Sequence, residues 1–169
     1  FLITSAVNIN SFSVIKSNLN KTKIAFTIAE LIDKVLMSRE KDGKVFKLIA
    51  AIFENLNRFS KNIELVYYFF IFNLLDNLGY RPELKYCAKC REGLSPRELF
   101  FSFEDGGVIG ADCRRQTGTQ KISPNTLKII RLFFDGNLDL INRLRFDRMA
   151  LLELKKITTG YVQFTFGVN

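Results

Sequence analysis

Apolar residues recur at helical spacing along most of this chain, and the pattern breaks in one central stretch. From about Leu19 to Met37, the residues Ile24, Ile28, Leu31, Ile32, Val35 and Leu36 share one stripe, which predicts an amphipathic helix. The polar run Lys41-Asp42-Gly43-Lys44 predicts a turn, with Asp42 as N-cap of the next helix. That helix gathers Val45, Phe46, Ile49, Ile52, Phe53 and Leu56 on its packing face. A third runs from near Ser60 to Leu78. It is apolar nearly all round between Leu65 and Leu75, so it is expected to be the most buried helix. Gly79 stops it, and Pro82 forbids its continuation.

Between Pro82 and Gln120 the pattern becomes strand-like. Leu99-Phe100-Phe101-Ser102-Phe103 and Gly107-Val108-Ile109 flank Glu104-Asp105-Gly106, and an Asp-Gly between apolar runs predicts a hairpin. Helical spacing then returns. Ser123 is an N-cap followed by proline at the first helical position, with Ile122 placed to staple the start. Leu127, Ile130, Leu132 and Phe133 follow, and Gly136 ends the element. A short helix near Leu138–Leu144 and a last one from about Asp147 to Phe164 complete the pattern, the latter packing through Met149, Leu152, Ile157 and Tyr161. The fold class is therefore mainly α, a helical bundle-like domain of five or six helices with an inserted β-hairpin subdomain.

At the N-terminus, Ile3, Ser5, Val7 and Ile9 alternate as in a strand. A lone strand is not stable by itself, so an upstream domain is expected. The longest apolar run, Leu65 to Phe72, is far short of the ~20 residues a bilayer-spanning helix needs. The 169 residues suffice for one domain with a sizeable core. A net charge of +8 favours polyanionic or acidic partners and says nothing of fold.

The chain's three cysteines change the picture of the central stretch. Cys87-Ala-Lys-Cys90 is a knuckle that presents two thiolates to one tetrahedral metal. A second C-x-x-C about twenty residues on would complete a four-cysteine zinc site. The matching tetrad reads Gly110-Ala111-Asp112-Cys113, so Gly110 stands where a ligand is expected. Asp105 and Asp112 carry carboxylates nearby but at the wrong spacing, and the chain has no histidine. Two outcomes stay open: zinc held weakly by Cys87, Cys90 and Cys113, or a metal-free finger whose cysteines are small buried residues kept together by Phe100, Phe101 and Phe103. An odd cysteine count with one knuckle fits a reducing, cytoplasmic compartment better than a disulfide framework.

Catalytic patterns are thin. There is no G-x-S-x-G, no glycine-rich phosphate loop and no histidine to act as a general base, so no enzymatic activity is expected. Glu30, Asp33 and Glu64 fall among lysines, as on a solvated helix face. Around the cysteines lie Lys85, Lys89, Arg91, Arg97, Arg114, Arg115 and Lys121, a cluster able to neutralise phosphates, with Tyr80 and Tyr86 available to stack on bases. A second basic set, Arg143, Arg145, Arg148, Lys155 and Lys156, lies near the C-terminus. Either set could attract an acidic peptide.

The order of these parts resembles the RecO family of recombination mediators. The most specific piece is Leu78-Gly79-Tyr80-Arg81-Pro82-Glu83-Leu84 leading into the first cysteine, followed by Gly106-Gly107-Val108 and a final cysteine. Ile122-Ser123-Pro124-Asn125-Thr126-Leu127 and Phe12 with Lys16-Ser17-Asn18-Leu19 are similar to the family's helix-opening segments. The resemblance implies that residues 1–10 are the last strand of an otherwise missing OB-fold. Residues 11–169 would be the helical C-terminal domain, with a zinc-finger-like insert at 84–120. It implies a cytoplasmic bacterial DNA-repair mediator that binds single- and double-stranded DNA and anneals strands. With RecR it would help load RecA, and it would bind the acidic C-terminal tail of single-strand binding protein. The alternative is a structural adaptor with a degenerate finger that no longer touches DNA.

Overall fold

One helix, α4, organises the rest. This computed structural model describes residues 4, 5, 7, 10–36, 43–95 and 98–168. Within it α1 spans Ser13–Lys16, α2 Leu19–Val35, α3 Gly43–Arg58, α4 Ile63–Asn77, α5 Pro124–Phe133, α6 Leu138–Arg143 and α7 Arg148–Phe166. Leu65, Val66, Phe69, Phe70, Ile71, Phe72, Leu74 and Leu75 of α4 are all buried, on every side of the helix, and α2, α3, α5, α6 and α7 pack around it. Asn73 breaks the apolar run without penalty. Its Nδ2 donates to the Phe69 carbonyl at 2.9 Å and to the Phe133 carbonyl at 3.1 Å, tying α4 to the end of α5.

The helix ends follow local chemistry. Tyr80 N–H donates to the Leu75 carbonyl (2.7 Å) and Gly79 N–H to that of Asp76 (3.0 Å), with Gly79 at φ 85°, a Schellman stop. Asn18, Ser123, Asn137 and Asp147 each accept a first-turn backbone N–H at the starts of α2, α5, α6 and α7. Glu153 of α7 reinforces the Ser123 cap by accepting from Ser123 N–H, its hydroxyl and the Thr126 hydroxyl. The start of α4 lies three residues later than the sequence suggested. Asn62 is held at φ 52° because its Nδ2 donates to the carbonyls of Ile141, Asn142 and Leu144.

Between α4 and α5 stands a three-stranded antiparallel sheet: β1 (Leu99–Ser102), β2 (Gly107–Gly110) and β3 (Thr119–Ile122), in the order β2-β1-β3. The expected hairpin is β1–β2, with Leu99 opposite Gly110 and Ser102 opposite Gly107. Strand β3 was not anticipated, since Thr-Gln-Lys-Ile has one apolar residue and pairs along the other edge of β1. Strand alternation decides what each aromatic touches. Phe101 joins the main core and meets Tyr161 of α7 edge-on at 5.1 Å. Phe100 points to the other face and packs with Cys87 and Ile109. The expectation that Phe101 and Phe103 gather the cysteines is thus corrected, because odd positions of this strand face α7.

Three other packing assignments also change. Phe46 is 71% exposed, Met149 63% and Leu152 44%. Phe46 and Met149 sit one residue off the buried stripe and Leu152 midway between two of its members: α3 buries Val45, Ile52 and Leu56, and α7 buries Ala150, Leu154, Ile157, Thr158, Tyr161 and Val162. The proposed Asp42 cap and Met37 lie outside the described residues, as does most of the N-terminal strand, of which Thr4, Ser5 and Val7 are described and carry no regular structure.

The sheet approaches its supports too closely for side chains at two glycines. A Cβ on Gly107 would lie 2.3 Å from the Glu83 carbonyl oxygen and 2.7 Å from its nitrogen, and one on Gly160 would lie 2.3 Å from the Phe103 ring. Because backbone cannot yield as a side-chain tip can, Gly107→Ala is expected to destabilise the protein by about 1–3 kcal/mol. Gly93→Ala, which meets nothing within 4 Å, should stay within about 0.5 kcal/mol. Denaturant unfolding of the two variants against the parent chain checks this, and equal stability of Gly107→Ala would contradict it.

Candidate metal centre and basic surface

After the Schellman stop the chain runs as a strap along β2. Glu83 N–H donates to the Gly106 carbonyl (3.0 Å) and Val108 N–H to that of Glu83 (2.8 Å). From α5, the Arg131 guanidinium donates to the Leu84 carbonyl. The Glu83 carboxylate accepts from the N–H groups of Lys85 (2.8 Å) and Tyr86 (3.2 Å). The Lys85 contact foremost holds that carboxyl below its ordinary range, with Arg91 adding to it. The strap so fixed delivers Cys87 to the outer face of the sheet.

Residues 87–92 form the knuckle. Arg91 N–H donates to the Cys87 carbonyl (2.9 Å) and Cys87 N–H to that of Glu92 (2.8 Å), with Arg91 at φ 66°. Ala88 N–H reaches the Val108 carbonyl at 2.8 Å and pins the knuckle to β2. Beyond Gly110 a 3-10 turn, Ala111–Cys113, brings the third cysteine back. The three Sγ atoms all lie within 4.8 Å of one another. Cys87 is buried, Cys113 half-buried and Cys90 exposed.

The cluster favours one thiolate, on Cys87. Burial pushes the Cys87 thiol up, but hydrogen bonds from the backbone of Cys90, Gly110 and Lys89 and from the Cys90 side chain outweigh it and bring Cys87 down to about 7. Cys113, sharing hydrogens with Cys90 and Cys87, moves up to about 11. A tetrahedral zinc with bonds of ~2.3 Å holds its sulfurs ~3.8 Å apart, which this cluster accommodates. The donor set therefore fits a zinc-like ion at three positions. Among the described residues no side chain supplies the fourth: Gly110 carries none, and a Cβ built there meets nothing within 4 Å. Asp105 is engaged elsewhere, accepting from the Ser102 hydroxyl (2.6 Å) and from Arg115 (3.4 Å). Among the described residues the ligand-bearing group consists of the three cysteines.

The basic residues around the finger are dispersed over it, and several have carboxylate partners. Arg91 pairs with Glu83 (3.2 Å), Arg115 with Glu104 and Asp105, and Lys121 with Glu98 (3.7 Å). Arg114 lies 4.4 Å over the Phe100 ring and Lys85 5.3 Å from the Tyr86 ring centre. Lys89 is exposed on the knuckle, and Arg97 lies outside the described residues. Exposed ion pairs of this kind contribute about 0–1 kcal/mol, so a phosphate can replace the carboxylate at little cost. Tyr80 and Tyr86 are 46% and 45% exposed, but one edge of Tyr80 meets Phe166 and its carbonyl accepts the Tyr161 hydroxyl. Arg143, Arg145, Arg148, Lys155 and Lys156 are exposed on α6, α7 and the loop between them.

The sequence could not locate a groove of about 250 Å³ between α5 and the start of α7, lined by Ile129, Leu132, Leu144 and Phe146 and flanked by Lys128 and Arg145. Its apolar members come from two separate segments, α5 and the stretch entering α7, and no local pattern joins them.

Comparison with known proteins decides the family. The family described as Recombination protein O C terminal matches residues 16–168. This chain belongs to the RecO family. Relatives named DNA repair protein RecO include one from Dehalococcoides mccartyi, 33% identical over 163 residues, which are 96% of this chain and 64% of that protein. Another, from Syntrophomonas wolfei, is 31% identical over 155 residues, covering 91% of this chain and 61% of its own length. The chain thus spans under two thirds of these RecO relatives. Among its described residues no helix is long and apolar enough to cross a membrane.

In the reduced, chelator-treated protein, thiolate ultraviolet absorbance is expected to rise in a first step near pH 7 from Cys87, with Cys113 ionising only towards 11. A single step at the ordinary thiol value of 9.0 would contradict the hydrogen-bonded knuckle.

Proposed function

We propose that this chain is the DNA- and partner-binding part of a recombination mediator that acts in DNA repair without catalytic turnover. The family match over residues 16–168 carries this reading. In it the protein binds single- and double-stranded DNA, promotes annealing, and with RecR helps load RecA where single-strand binding protein covers a gap. Lys85, Lys89, Arg91, Arg97, Arg114, Arg115 and Lys121 supply phosphate contacts, which is consistent with a net charge of +8. Ion-paired members exchange carboxylate for phosphate on binding. Cys87, Cys90 and Cys113 hold zinc, which when bound crosslinks knuckle and 3-10 turn and takes no part in a reaction.

The groove beside Lys128 and Arg145 suits the single-strand binding protein tail, an acidic peptide whose apolar end fits Ile129 and Phe146. The finger and this groove are separate surfaces, so one chain can hold DNA and a partner together.

The reading is tested by titrating labelled single-stranded DNA at several salt concentrations. Affinity should fall steeply with salt, and Lys85→Ala with Lys89→Ala should lower the log–log slope by roughly one to two. An unchanged slope would remove these two lysines from the interface. Absence of DNA binding together with retained association with RecR would favour the adaptor reading instead.

A further inference from the structure

We infer that the position beside Gly110 is an open coordination site that takes a thiolate from outside the chain, supplied by a small anionic thiol. This rests on the reading that Cys87, Cys90 and Cys113 hold a metal. Three observations converge on it. The three sulfurs lie within 4.8 Å of one another, so a metal on them is anchored. A Cβ at Gly110 meets nothing within 4 Å, and Gly110 has an ordinary extended backbone with φ −75° and ψ 168°. The space that a side chain at Gly110 would enter is therefore open.

The surroundings also say which donor suits that room. Asp105 is held by Ser102 and Arg115, and the chain has no histidine. Cys90 is exposed, so an incoming group approaches from solvent. Lys89 and Arg91 lie on the knuckle and Arg114 directly follows the 3-10 turn. Three sulfur donors on one ion suit a soft fourth ligand of the same kind. With a metal held by Cys87, Cys90 and Cys113, an outside thiol would bind as the thiolate, its proton going to solvent. No electron transfer is involved.

The test uses cobalt(II) as a spectroscopic stand-in for zinc, with reduced glutathione as the thiol. Addition of glutathione should convert the protein's visible cobalt bands to the intense four-sulfur pattern. It should also tighten apparent cobalt affinity roughly ten- to a hundredfold, the scale of losing or gaining a supporting contact to a bound metal. Gly110→Cys should show the four-sulfur pattern alone and ignore glutathione. The parent chain's own response is decisive if that variant folds poorly. Native mass spectrometry should find one chain, one cobalt and one glutathione. Cobalt bands that glutathione leaves unchanged would overturn the open site. A cobalt-bridged pair of chains would assign the fourth sulfur to a second copy and overturn the small-thiol source. No protein-bound cobalt with or without thiol would overturn the three-cysteine metal reading itself.

Discussion

The close seat of the sheet on the helical body is the constraint from which the rest follows. Phe103 occupies the space a side chain on Gly160 would need, Phe101 abuts Tyr161, and Gly107 lets β2 run against the backbone of Glu83. Phe101, Val108 and Ile122 of the sheet are buried in the same core as Phe70, Phe72 and Leu154 of the helices. The finger is therefore continuous with the domain core. Apolar burial of this extent, at about 25 cal/mol per Å², is available without any metal.

This seating explains how a finger frame persists with a glycine in place of a ligand. Zinc-dependent modules that lack a core of their own unfold without the ion. Here the strap hydrogen bonds, the β1–β2 register and the Arg131 contact to Leu84 already hold the knuckle. Odd positions of β1 serve the core and even positions serve the cysteine face, so the two roles are separated by strand geometry.

Much of this was legible in the residues, for reasons that can be named. The all-round apolar run of α4, the Gly79 stop and the Ser123-Pro124 start are local signals, and the end of α4 and the start of α5 formed where that chemistry placed them. The spacing of Cys87, Cys90 and Cys113 was read as one cluster, and the three sulfurs do meet. What failed depended on distant partners. Strand β3 is polar and exists because β1 offers an edge; Asn62 delays α4 because the loop after α6 supplies three carbonyls. Phe46, Met149 and Leu152 are apolar yet exposed, since a helical stripe read without its neighbours is uncertain by about one position. Charge counts likewise hid that Arg91, Arg115 and Lys121 carry carboxylate partners.

The central claim, that docking on α7 folds the finger and the cysteine site is secondary, is open to one direct measurement. Native-state hydrogen exchange can follow the amides of Phe101 and Val108 in reduced protein, first with zinc and then with chelator. The account predicts that these amides stay as protected as those of α4 when metal is removed, with changes confined to the knuckle and the 3-10 turn. Loss of protection across β1 and β2 on chelation would contradict it.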